Sequence, residues 1–549
     1  MTTQSSDGWK QIVRNGLIGG AIVVLLSLVG MVVAFGQRYI VSGLFTMGHV
    51  LMLAPLLLLA YTTARRADGA SVGSRLWLGG VSGLIGGAVV AVLVLIGHVV
   101  NLRAVLVSAS PDLYQMLRFG VPLPLGALIP PLAGLLAGVA GGALALIPPR
   151  YRNVALQPIL ILLLLGLLRD LLVTMMLNWG VVGYLFRWMF AAAGMSVIGA
   201  IFVLVVFGGL AFWRAWRTPA VQRQRSPRQQ MVIRVVSIVV IIVVLVFLPR
   251  ILGTFFSEIL DNVGLFVLMG LGLNIVVGLA GLLDMGYVAF YAIGAYVMGV
   301  LTSPELGFFS LPYWLALPVA LVGAMLAGVL LGLPVLKMRG DYLAIVTLGF
   351  GEIVRLVVGS DWLRPFLGGS QGIQLIAQPR IGPILLNTQQ ELYYLILIGC
   401  LLAAFIAWRL KDSRVGRAWM AVREDEDVAQ AMGINTVTTK LMAFAMGALF
   451  AGLSGTIFAA KLQSTYPHSF NVLVSINVLS LVIIGGMGSM PGVVVGALVL
   501  MGLPELLREF AEFRYLVYGA LLVVMMLIRP EGLWPEARRK LELREAREA

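Results

Sequence analysis

The sequence predicts an all-helical protein that crosses a membrane many times. Of its 549 residues, 60% are hydrophobic and only 12% are charged. Apolar stretches of about 20 residues, long enough to cross about 30 Å of hydrocarbon, recur from end to end. Backbone polar groups inside lipid must be paired within the protein, so only helices and closed barrels span a bilayer. These stretches are too long and continuous for the alternating strands of a barrel, and helices are therefore predicted.

Six apolar segments make up the first part of the chain. They cover residues 17–36, 45–62, 76–99, 121–147, 155–178 and 182–213. The first of them lacks a small-residue cleavage site, so we expect a membrane anchor rather than a removable signal. Lysine and arginine are concentrated in alternate connections, and the other connections carry only Arg38, Arg103 and Arg118. Because positively charged loops stay cytoplasmic, we expect both ends of this block to be cytoplasmic.

The net charge of +14 comes almost entirely from the first part of the chain. Residues 1–230 contain 17 of the 39 Lys and Arg residues but only 4 of the 25 Asp and Glu residues. Most of these positive charges lie between apolar segments, which is the pattern that orients membrane proteins. A nucleic-acid partner is therefore not expected.

The chain divides at a basic linker. Residues 214–230 contain five arginines and two prolines, and a new apolar run follows. This linker is interpreted as a cytoplasmic tether near anionic lipid, with a regulatory contact as the alternative. We therefore expect four regions: a six-span membrane extension at 1–213, the linker, a second membrane domain at 231–535 and a charged cytoplasmic tail at 536–549.

Ten further apolar segments follow the linker and bring the total to about 16. They cover residues 232–252, 264–282, 283–302, 312–336, 342–358, 391–409, 440–461, 471–487, 491–508 and 514–529. Several are short and rich in glycine, of which the chain has 64. Glycine lets helices approach closely and permits breaks where the backbone lines a cavity. Some of these segments are therefore expected to be broken or re-entrant.

Several kinds of chemistry are not expected from this sequence. A nucleotide-binding P-loop needs Gly-Lys followed by Ser or Thr, and none of the six lysines follows a glycine. The single cysteine, Cys400, and three widely separated histidines form no zinc-ligand pattern. We therefore predict no catalytic residues, no metal and no cofactor, and we expect any ATP hydrolysis to take place in a partner.

A polar insertion at residues 409–440 separates two apolar segments of the second domain. Its apolar positions recur near helical spacing, at Val415, Trp419, Val422 and Ala429. Gly433 suits a helix C-cap. The predicted topology makes this amphipathic helix cytoplasmic, where it lies either on lipid or in a groove of another protein. The four consecutive acids from Glu424 to Asp427 favour the protein groove, because anionic lipid would repel them.

Residues 414–435 resemble the coupling helix of LivM-type permeases in branched-chain amino acid ABC transporters. Four other blocks resemble the same family and occur in the family's order, at 271–296, 333–357, 476–497 and 529–534. Together the blocks cover nearly all of the second membrane domain. Residues 1–230 lie outside this resemblance and look like the N-terminal extension that some LivM-type chains carry, here with six predicted spans.

The resemblance implies a transport function and a set of partners. The chain is expected to be an inner-membrane permease subunit, not an enzyme, that moves leucine, isoleucine and valine, or small polar solutes such as urea or amides, by alternating access. Its expected partners are a LivH-type second permease, two cytoplasmic ATPase subunits and a soluble extracytoplasmic binding protein. The implied contact with the ATPase consists of Arg414, Gly416, Arg417, Trp419, Arg423, Glu424, Asp425, Glu426 and Gly433.

Polar residues inside apolar segments are candidates for the translocation pathway. Asn274 and Asp284 flank the glycine-broken stretch GLAGLLDMG, and Asn477 precedes a second such stretch, GGMGSMPG. The two stretches share one plan and are interpreted as a weak internal repeat around a midplane pathway. The alternative is that the two asparagines tie neighbouring helices together. Asp284 is expected at a helix end, near water.

Two charged pairs also lie within apolar segments. Glu352 and Arg355 are three residues apart, so they are expected to pair on one helix. Arg169 and Asp170 are adjacent. Adjacent residues do not share a helix face, so each of these two is expected to need a partner elsewhere.

Two other classes of function remain as alternatives. An ion-coupled secondary transporter usually needs membrane-buried carboxylates, and few acids lie away from the predicted segment ends. That function would also leave the polar insertion without a purpose. A membrane-embedded enzyme would need clustered His, Asp, Glu, Ser or Lys residues, and the sequence offers no such cluster.

Overall fold

The computed structural model describes residues 3–66, 71–177, 179–216, 227–336, 338, 340–507, 513–529 and 531–535. The chain forms two compact units, Met1–Val235 and Val236–Ala549, called here the N-terminal unit and the C-terminal unit. The predicted tail at 536–549 and residues 217–226 of the predicted linker lie outside the described residues.

The N-terminal unit consists mainly of helices. These are α1 (Thr3–Leu28), α2 (Met31–Gly36), α3 (Met47–Arg66), α4 (Val72–Val99), α5 (Pro111–Leu117), α6 (Ile129–Leu146), α7 (Pro149–Leu167), α8 (Arg169–Leu177), α9 (Val181–Phe186) and α10 (Val197–Trp216). Four short strands form a small sheet in the order β2-β1-β4-β3. They are β1 (Tyr39–Val41), β2 (Phe45–Thr46), β3 (Phe190–Ala191) and β4 (Gly194–Met195).

Glycines let α4 and α6 pack almost backbone to backbone. Gly79, Gly83 and Gly87 are spaced four residues apart and therefore lie on one face of α4. A Cβ atom added to Gly83 would lie 2.1 Å from the carbonyl oxygen of Gly134 in α6. Because lipid tails are as apolar as leucine, such close van der Waals packing is what holds membrane helices together.

A sharp bend separates α7 from α8. The two helices are bent by 68° at the break, so the predicted segment 155–178 is not one straight helix. The guanidinium of Arg169 contacts the carboxylate of Asp170, and it also donates to the carbonyl oxygen of Ala191 at 2.8 Å from Nη2. The two adjacent residues therefore pair, which was not expected, while Arg169 also has the expected partner elsewhere.

The C-terminal unit is also mainly helical, and α11 begins before the boundary between the units. The helices are α11 (Pro227–Leu273), α12 (Val288–Thr302), α13 (Tyr313–Val335), α14 (Asp341–Val358), α15 (Arg364–Leu367), α16 (Gln389–Lys411), α17 (Arg414–Glu424), α18 (Glu426–Ala431), α19 (Thr436–Leu462), α20 (Val472–Gly485), α21 (Met490–Ala497), α22 (Leu503–Leu506) and α23 (Arg514–Ile528). Short strands form two pairs, β5 (Ile373–Gln374) with β8 (Ser464–Thr465) and β6 (Arg380–Ile381) with β7 (Ile384–Leu385).

The core of the C-terminal unit forms where α19 packs against α12 and α13. Glycines again permit the contact: a Cβ atom on Gly455 would lie 2.0 Å from the carbonyl oxygen of Tyr291. In the contact of α13 with α19, a Cβ atom on Gly328 of α13 would lie 2.7 Å from the carbonyl oxygen of Phe444. The side chains of Phe290 and Phe450 are fully buried in this core. Helix α19 is therefore the central support of the unit.

The structure supports an all-helical membrane protein with a few strands of two or three residues. Within the described ranges, nine helices are long and apolar enough to cross a membrane, or ten if α7 and α8 count as one bent span. The predicted count of about 16 is not confirmed. Helix α11 joins the predicted segments at 232–252 and 264–282, with a break only at Gly253 (φ 81°). Helix α20 has 14 residues and extends only about 21 Å, less than the hydrocarbon thickness.

Candidate functional site

The polar insertion folds as two short helices rather than the single predicted one. Ser413 begins α17, and its hydroxyl accepts a hydrogen bond from the Gly416 amide at 3.2 Å. Asp425 has an extended backbone (φ −156°, ψ 114°), which ends α17 and starts α18. Its carboxylate accepts from the amides of Asp427 and Val428, both at 2.9 Å. Asp425 is therefore an N-cap, a role for which its short acidic side chain is well suited.

Gly433 ends α18 in the way that the sequence predicted. Its φ is +85°, a left-handed conformation that costs glycine little. The Gly433 amide donates to the Gln430 carbonyl at 3.0 Å, and the Ile434 amide donates to the Ala429 carbonyl at 3.1 Å. These two bonds form a Schellman motif and direct the chain into α19.

The apolar face of the insertion packs on the chain itself. Trp419 is 0% exposed, and its Nε1 donates to the Thr439 carbonyl at 2.8 Å in the first turn of α19. Val422 and Ala429 are also buried. The inference that this face needs a groove on another protein was wrong, because the start of α19 already covers it.

The predicted contact residues are therefore divided between two sides of the insertion. Gly416 has no room for a side chain, since its Cβ would lie 2.3 Å from the Leu410 carbonyl oxygen. Arg414, Arg417 and Glu424 are exposed. Val428 of α18 and Met432, which follows it, are exposed as well, so the exposed residues of the insertion, called here its outward face, combine charge with apolar surface.

Basic side chains attach the insertion to both glycine-broken stretches. Arg423 donates from Nη1 to the Gly278 carbonyl at 2.5 Å, and its stem lies where a Cβ atom of Gly281 would be. Lys411, at the end of α16, donates from Nζ to the Gly488 carbonyl at 3.2 Å. Hydrogen bonds from charged donors are about twice as strong as neutral ones. The insertion is thus bonded directly to backbone that has left regular helix.

A buried lysine adds a third attachment. Lys440 of α19 pairs with Glu426 of α18, with Nζ 2.6 Å from Oε1. The same Nζ donates to the Leu336 carbonyl at 3.3 Å, at the end of α13. A buried ammonium group needs such partners because desolvating a charge is costly. Glu426 is therefore paired within the chain.

The first glycine-broken stretch begins in a π-helical turn, Asn274–Leu279. The buried Asn274 accepts a hydrogen bond through Oδ1 from the Gly488 amide at 2.8 Å. This bond joins the first broken stretch to the second one. Of the two interpretations of Asn274, the geometry therefore supports the helix tie.

Asp284 precedes α12 but is fully buried, so the expectation that it lies near water was wrong. Its Oδ1 accepts from the Gly286 amide at 2.9 Å, and its Oδ2 has no hydrogen-bond partner among the described residues. The neighbouring Met285 amide donates to the Thr347 hydroxyl of α14 at 3.0 Å. Helix α14 packs tightly on this loop, which is why the segment end is not open to solvent.

The second broken stretch turns α20 back along α21. A Cβ atom on Gly485 would lie 2.1 Å from the Gly492 carbonyl oxygen, and one on Gly496 would lie 2.2 Å from the Leu481 carbonyl oxygen. These paired approaches define an antiparallel hairpin of two short helices. Asn477 lies half-buried on α20, about 12 Å along the axis before Gly485, so it does not join Asn274 in one cluster.

The block at 529–534 closes this hairpin from one end. The Leu533 amide donates to the Ile484 carbonyl at 2.8 Å, and the Trp534 amide donates to the Gly485 carbonyl at 2.9 Å. These bonds satisfy carbonyl groups that the end of α20 leaves free. Gly532 is needed here because its φ is +94° and a Cβ atom would lie 2.7 Å from the Gly486 Cα.

Sequence reasoning missed a buried charged pair in the C-terminal unit. Asp261 of α11 is 0% exposed, and its Oδ2 lies 4.0 Å from the Nζ of Lys461 in α19. Lys461 donates to the Asn262 side chain at 2.8 Å instead. Residues 253–263 were interpreted as a connection because they contain several polar and charged residues, but helix α11 continues through them. By contrast, the predicted pairing of Glu352 with Arg355 on α14 is confirmed.

Comparison with known proteins identifies the family. The profile of the family described as "Branched-chain amino acid transport system / permease component" matches residues 255–526. A high-affinity branched-chain amino acid transport system permease protein, LivM, from Escherichia coli (strain K12) is 42% identical over 303 residues, which make up 51% of this chain and 70% of that relative. The chain belongs to this permease family.

More distant permeases also match the same half of the chain. LivH of Salmonella typhimurium, a high-affinity branched-chain amino acid transport system permease protein, is 26% identical over 284 residues, covering 49% of this chain and 90% of LivH. A probable LivM of Methanocaldococcus jannaschii is 23% identical and covers 51% and 93%. No solved structure matches the chain.

Family membership and the apolar helices together make the chain a multi-pass inner-membrane permease. The matched range at 255–526 contains both broken stretches and the whole polar insertion. No group of His, Cys, Asp and Glu residues in the described part of the chain is arranged to hold a metal ion. The arrangement connects an exposed insertion directly to broken membrane segments.

Proposed function

We propose that this permease is a membrane-spanning subunit of an ATP-binding-cassette importer for leucine, isoleucine and valine, or for small polar solutes such as urea and amides. Its partners are a LivH-type second permease, two cytoplasmic ATPase subunits that hydrolyse ATP, and a soluble extracytoplasmic binding protein. Family membership and the branched-chain amino acid transport named for the LivM and LivH relatives support the substrate class. The region at 231–535 is the permease domain, and 1–213 is an extension joined to it by the basic linker.

The observation that carries this proposal is the double attachment of the polar insertion. Arg423 and Lys411 hold the carbonyl groups of Gly278 and Gly488, and Asn274 bonds the two broken stretches to each other. A displacement of the insertion therefore moves both stretches together. This is what alternating access requires of an element driven by an external motor.

The outward face of the insertion is the proposed docking surface for the ATPase. It comprises Arg414, Arg417, Glu424, Val428 and Met432, and it is supported from behind by the buried Trp419. A rigid support matters because a flexible insertion would absorb the ATPase motion instead of transmitting it. In this arrangement the insertion and both chain termini are cytoplasmic.

We place the translocation pathway beside the two broken stretches. Breaks in membrane helices are tolerated where the freed backbone groups are buried in protein or line a cavity. The polar group that this region offers to the pathway is Oδ2 of Asp284, which has no hydrogen-bond partner among the described residues. Asn274 acts as the tie that holds the stretches in register, and Asn477 lies farther along α20.

One observation favours a second candidate, an ion-coupled secondary transporter. Asp261 and Lys461 are a carboxylate and an ammonium group buried within membrane helices, and such residues often mark ion pathways. The two candidates differ in their energy source. Uptake that needs a proton or sodium gradient, and not ATP with the binding protein, would favour the secondary transporter.

The direct test uses the complex reconstituted in proteoliposomes with its ATPase pair, second permease and binding protein, which neighbouring genes are expected to encode. The double variant Arg417→Ala/Glu424→Ala should lose substrate-stimulated ATPase activity while the membrane subunits still assemble. The matched control is Asp361→Ala/Arg380→Ala, which changes one acid and one arginine, both exposed, between α14 and α16. Equal activity in the two double variants would remove the assignment of the docking surface.

A further inference from the structure

The N-terminal unit contains a cavity of about 570 Å³ that the transport mechanism does not use. It lies between the end of α4, the connection to α5, and α5 itself. The lining residues are Val94, Gly97, His98, Asn101, Leu102, Arg103, Ala109, Pro111, Tyr114, Arg118 and Leu123. This volume is within the range of small-molecule sites in proteins.

Two glycines position the polar side chains of this cavity. A Cβ atom on Gly97 would lie 2.3 Å from the Tyr114 hydroxyl oxygen, so only glycine lets the tyrosine ring lie across α4. A Cβ atom on Gly126 would lie 2.8 Å from Cδ of Arg118. Arg118 is also held by a hydrogen bond from Nε to the Tyr114 carbonyl at 3.0 Å. The site is therefore built before any ligand arrives.

The Tyr114 hydroxyl is a buried donor without a partner. Its oxygen is shielded from solvent and has no hydrogen-bond partner among the described residues. Because no water-sized atom reaches this oxygen, Tyr114 contributes its ring rather than its hydroxyl to the wall of the cavity.

The charge of the cavity favours an anion. None of the described residues that line it is acidic, and neither Arg103 nor Arg118 forms an ion pair with a described residue. Asn101 and His98 add further hydrogen-bonding groups. Arginine binds phosphate through a planar fork of N–H donors, so a phosphate ester fits this set of residues.

Exposed apolar residues next in sequence to the cavity indicate that the bound phosphate belongs to a molecule with apolar chains. Val99, Val105 and Val107 are 83%, 84% and 82% exposed, although water-facing loops seldom display three such valines together. Exposed apolar surface beside polar groups marks contact with a membrane or another protein. A basic cavity beside apolar surface at the end of a membrane helix suits both the phosphate and the acyl chains of a phospholipid.

We propose that this cavity binds the phosphodiester headgroup of an anionic phospholipid. Arg103 and Arg118 bind the phosphate oxygens, and the acyl chains extend along Val99, Val105 and Val107. The N-terminal unit thereby anchors one lipid at the edge of the membrane. This assignment does not depend on the substrate of the permease.

Titration of the purified full-length chain with phosphatidylglycerol, followed by native mass spectrometry, tests the proposal. The double variant Arg103→Gln/Arg118→Gln should bind phosphatidylglycerol at least tenfold more weakly, with binding of phosphatidylcholine unchanged. The matched control is Arg65→Gln/Arg66→Gln, which removes the same charge from residues outside the cavity. Equal weakening in both double variants, or no weakening in the first, would overturn the proposal.

Two further measurements keep the test decisive. If the double arginine variant does not fold, the single variants Arg103→Gln and Arg118→Gln should each weaken phosphatidylglycerol binding several-fold; unchanged binding in both would contradict the site. Glycerol 3-phosphate serves as the soluble probe. It should not displace the lipid at comparable concentration, and displacement would overturn the lipid assignment in favour of a soluble phosphate ester.

Discussion

At the residue scale, a few basic side chains connect the polar insertion to the membrane core. Arg423, Lys411 and Lys440 each hold a backbone carbonyl in another segment. The resemblance to LivM-type permeases identified Arg423, but its contact lies 145 residues away in sequence and is not predictable from local pattern. Lys411 and Lys440 carry no motif signal, because a lysine beside an apolar segment usually faces lipid headgroups.

Replacing Arg423 should uncouple the insertion from the first broken stretch. Arg423→Ala removes a charge-assisted hydrogen bond worth about 1.5–3 kcal/mol, so we expect leucine uptake in proteoliposomes to fall at least tenfold while the complex still assembles. Arg423→Lys should retain part of the activity, because an ammonium group can still donate one bond. The control is Arg380→Ala, since the exposed Arg380 side chain donates locally, to the Gly382 carbonyl. Transport by Arg423→Ala equal to that of the control would contradict the account.

The buried acids show a limit of sequence reasoning at this scale. Asp261 and Asp284 are both fully buried. In the sequence, however, an acidic residue lowers the local hydropathy and therefore looks like the end of an apolar segment. Their burial comes from helices distant in sequence, α19 over Asp261 and α14 over the Asp284 loop. No local pattern reports such packing.

At the scale of elements, the insertion behaves as a pair of helices fixed on α19. The helical spacing of Trp419 and Val422 and the cap at Gly433 were predictable, because amphipathic period and glycine caps are local properties. The break at Asp425 was not, since the acidic run was interpreted as continuous surface charge. The direction of the apolar face was also missed, because only the tertiary structure shows that α19 covers it.

Trp419 should determine whether the insertion stays attached. Trp419→Ala opens a cavity at a fully buried site and leaves the Thr439 carbonyl unpaired, a loss of about 3–5 kcal/mol. We expect trypsin to cleave the insertion of the purified protein much faster. Val428→Ala, at an exposed apolar position, should leave the cleavage rate unchanged. Equal rates in the two variants would show that Trp419 does not anchor the insertion.

The packing of α4 on α6 should be sensitive to a single methyl group. Gly83→Ala places Cβ 2.1 Å from a backbone oxygen, so the helices must separate, at a cost of about 1–3 kcal/mol. Gly73→Ala in the same helix meets nothing within 4 Å and gains helix propensity. In thermal unfolding of the detergent-solubilised protein, we expect a lower Tm for the first variant and an unchanged or higher Tm for the second. A similar Tm for both would contradict backbone-to-backbone packing.

At the scale of the whole molecule, the chain combines a family permease with a second membrane unit. The family profile covers only residues 255–526, and the N-terminal unit carries its own core and its own cavity. The fold class followed from composition and from the length of apolar runs. The number of spans did not, because short helices joined by glycine breaks, such as α20 and α21, have the hydropathy of full spans without their length.

The central claim is that an ATP-hydrolysing partner binds the outward face of the insertion. Site-specific photo-crosslinking tests it most directly, with the crosslinking residue in place of Met432 or, as a control, of Trp362, both highly exposed. In membranes that contain the full complex, position 432 should form an adduct with the ATPase subunit, and position 362 should form none. No ATPase adduct from position 432, or one from position 362, would contradict the account.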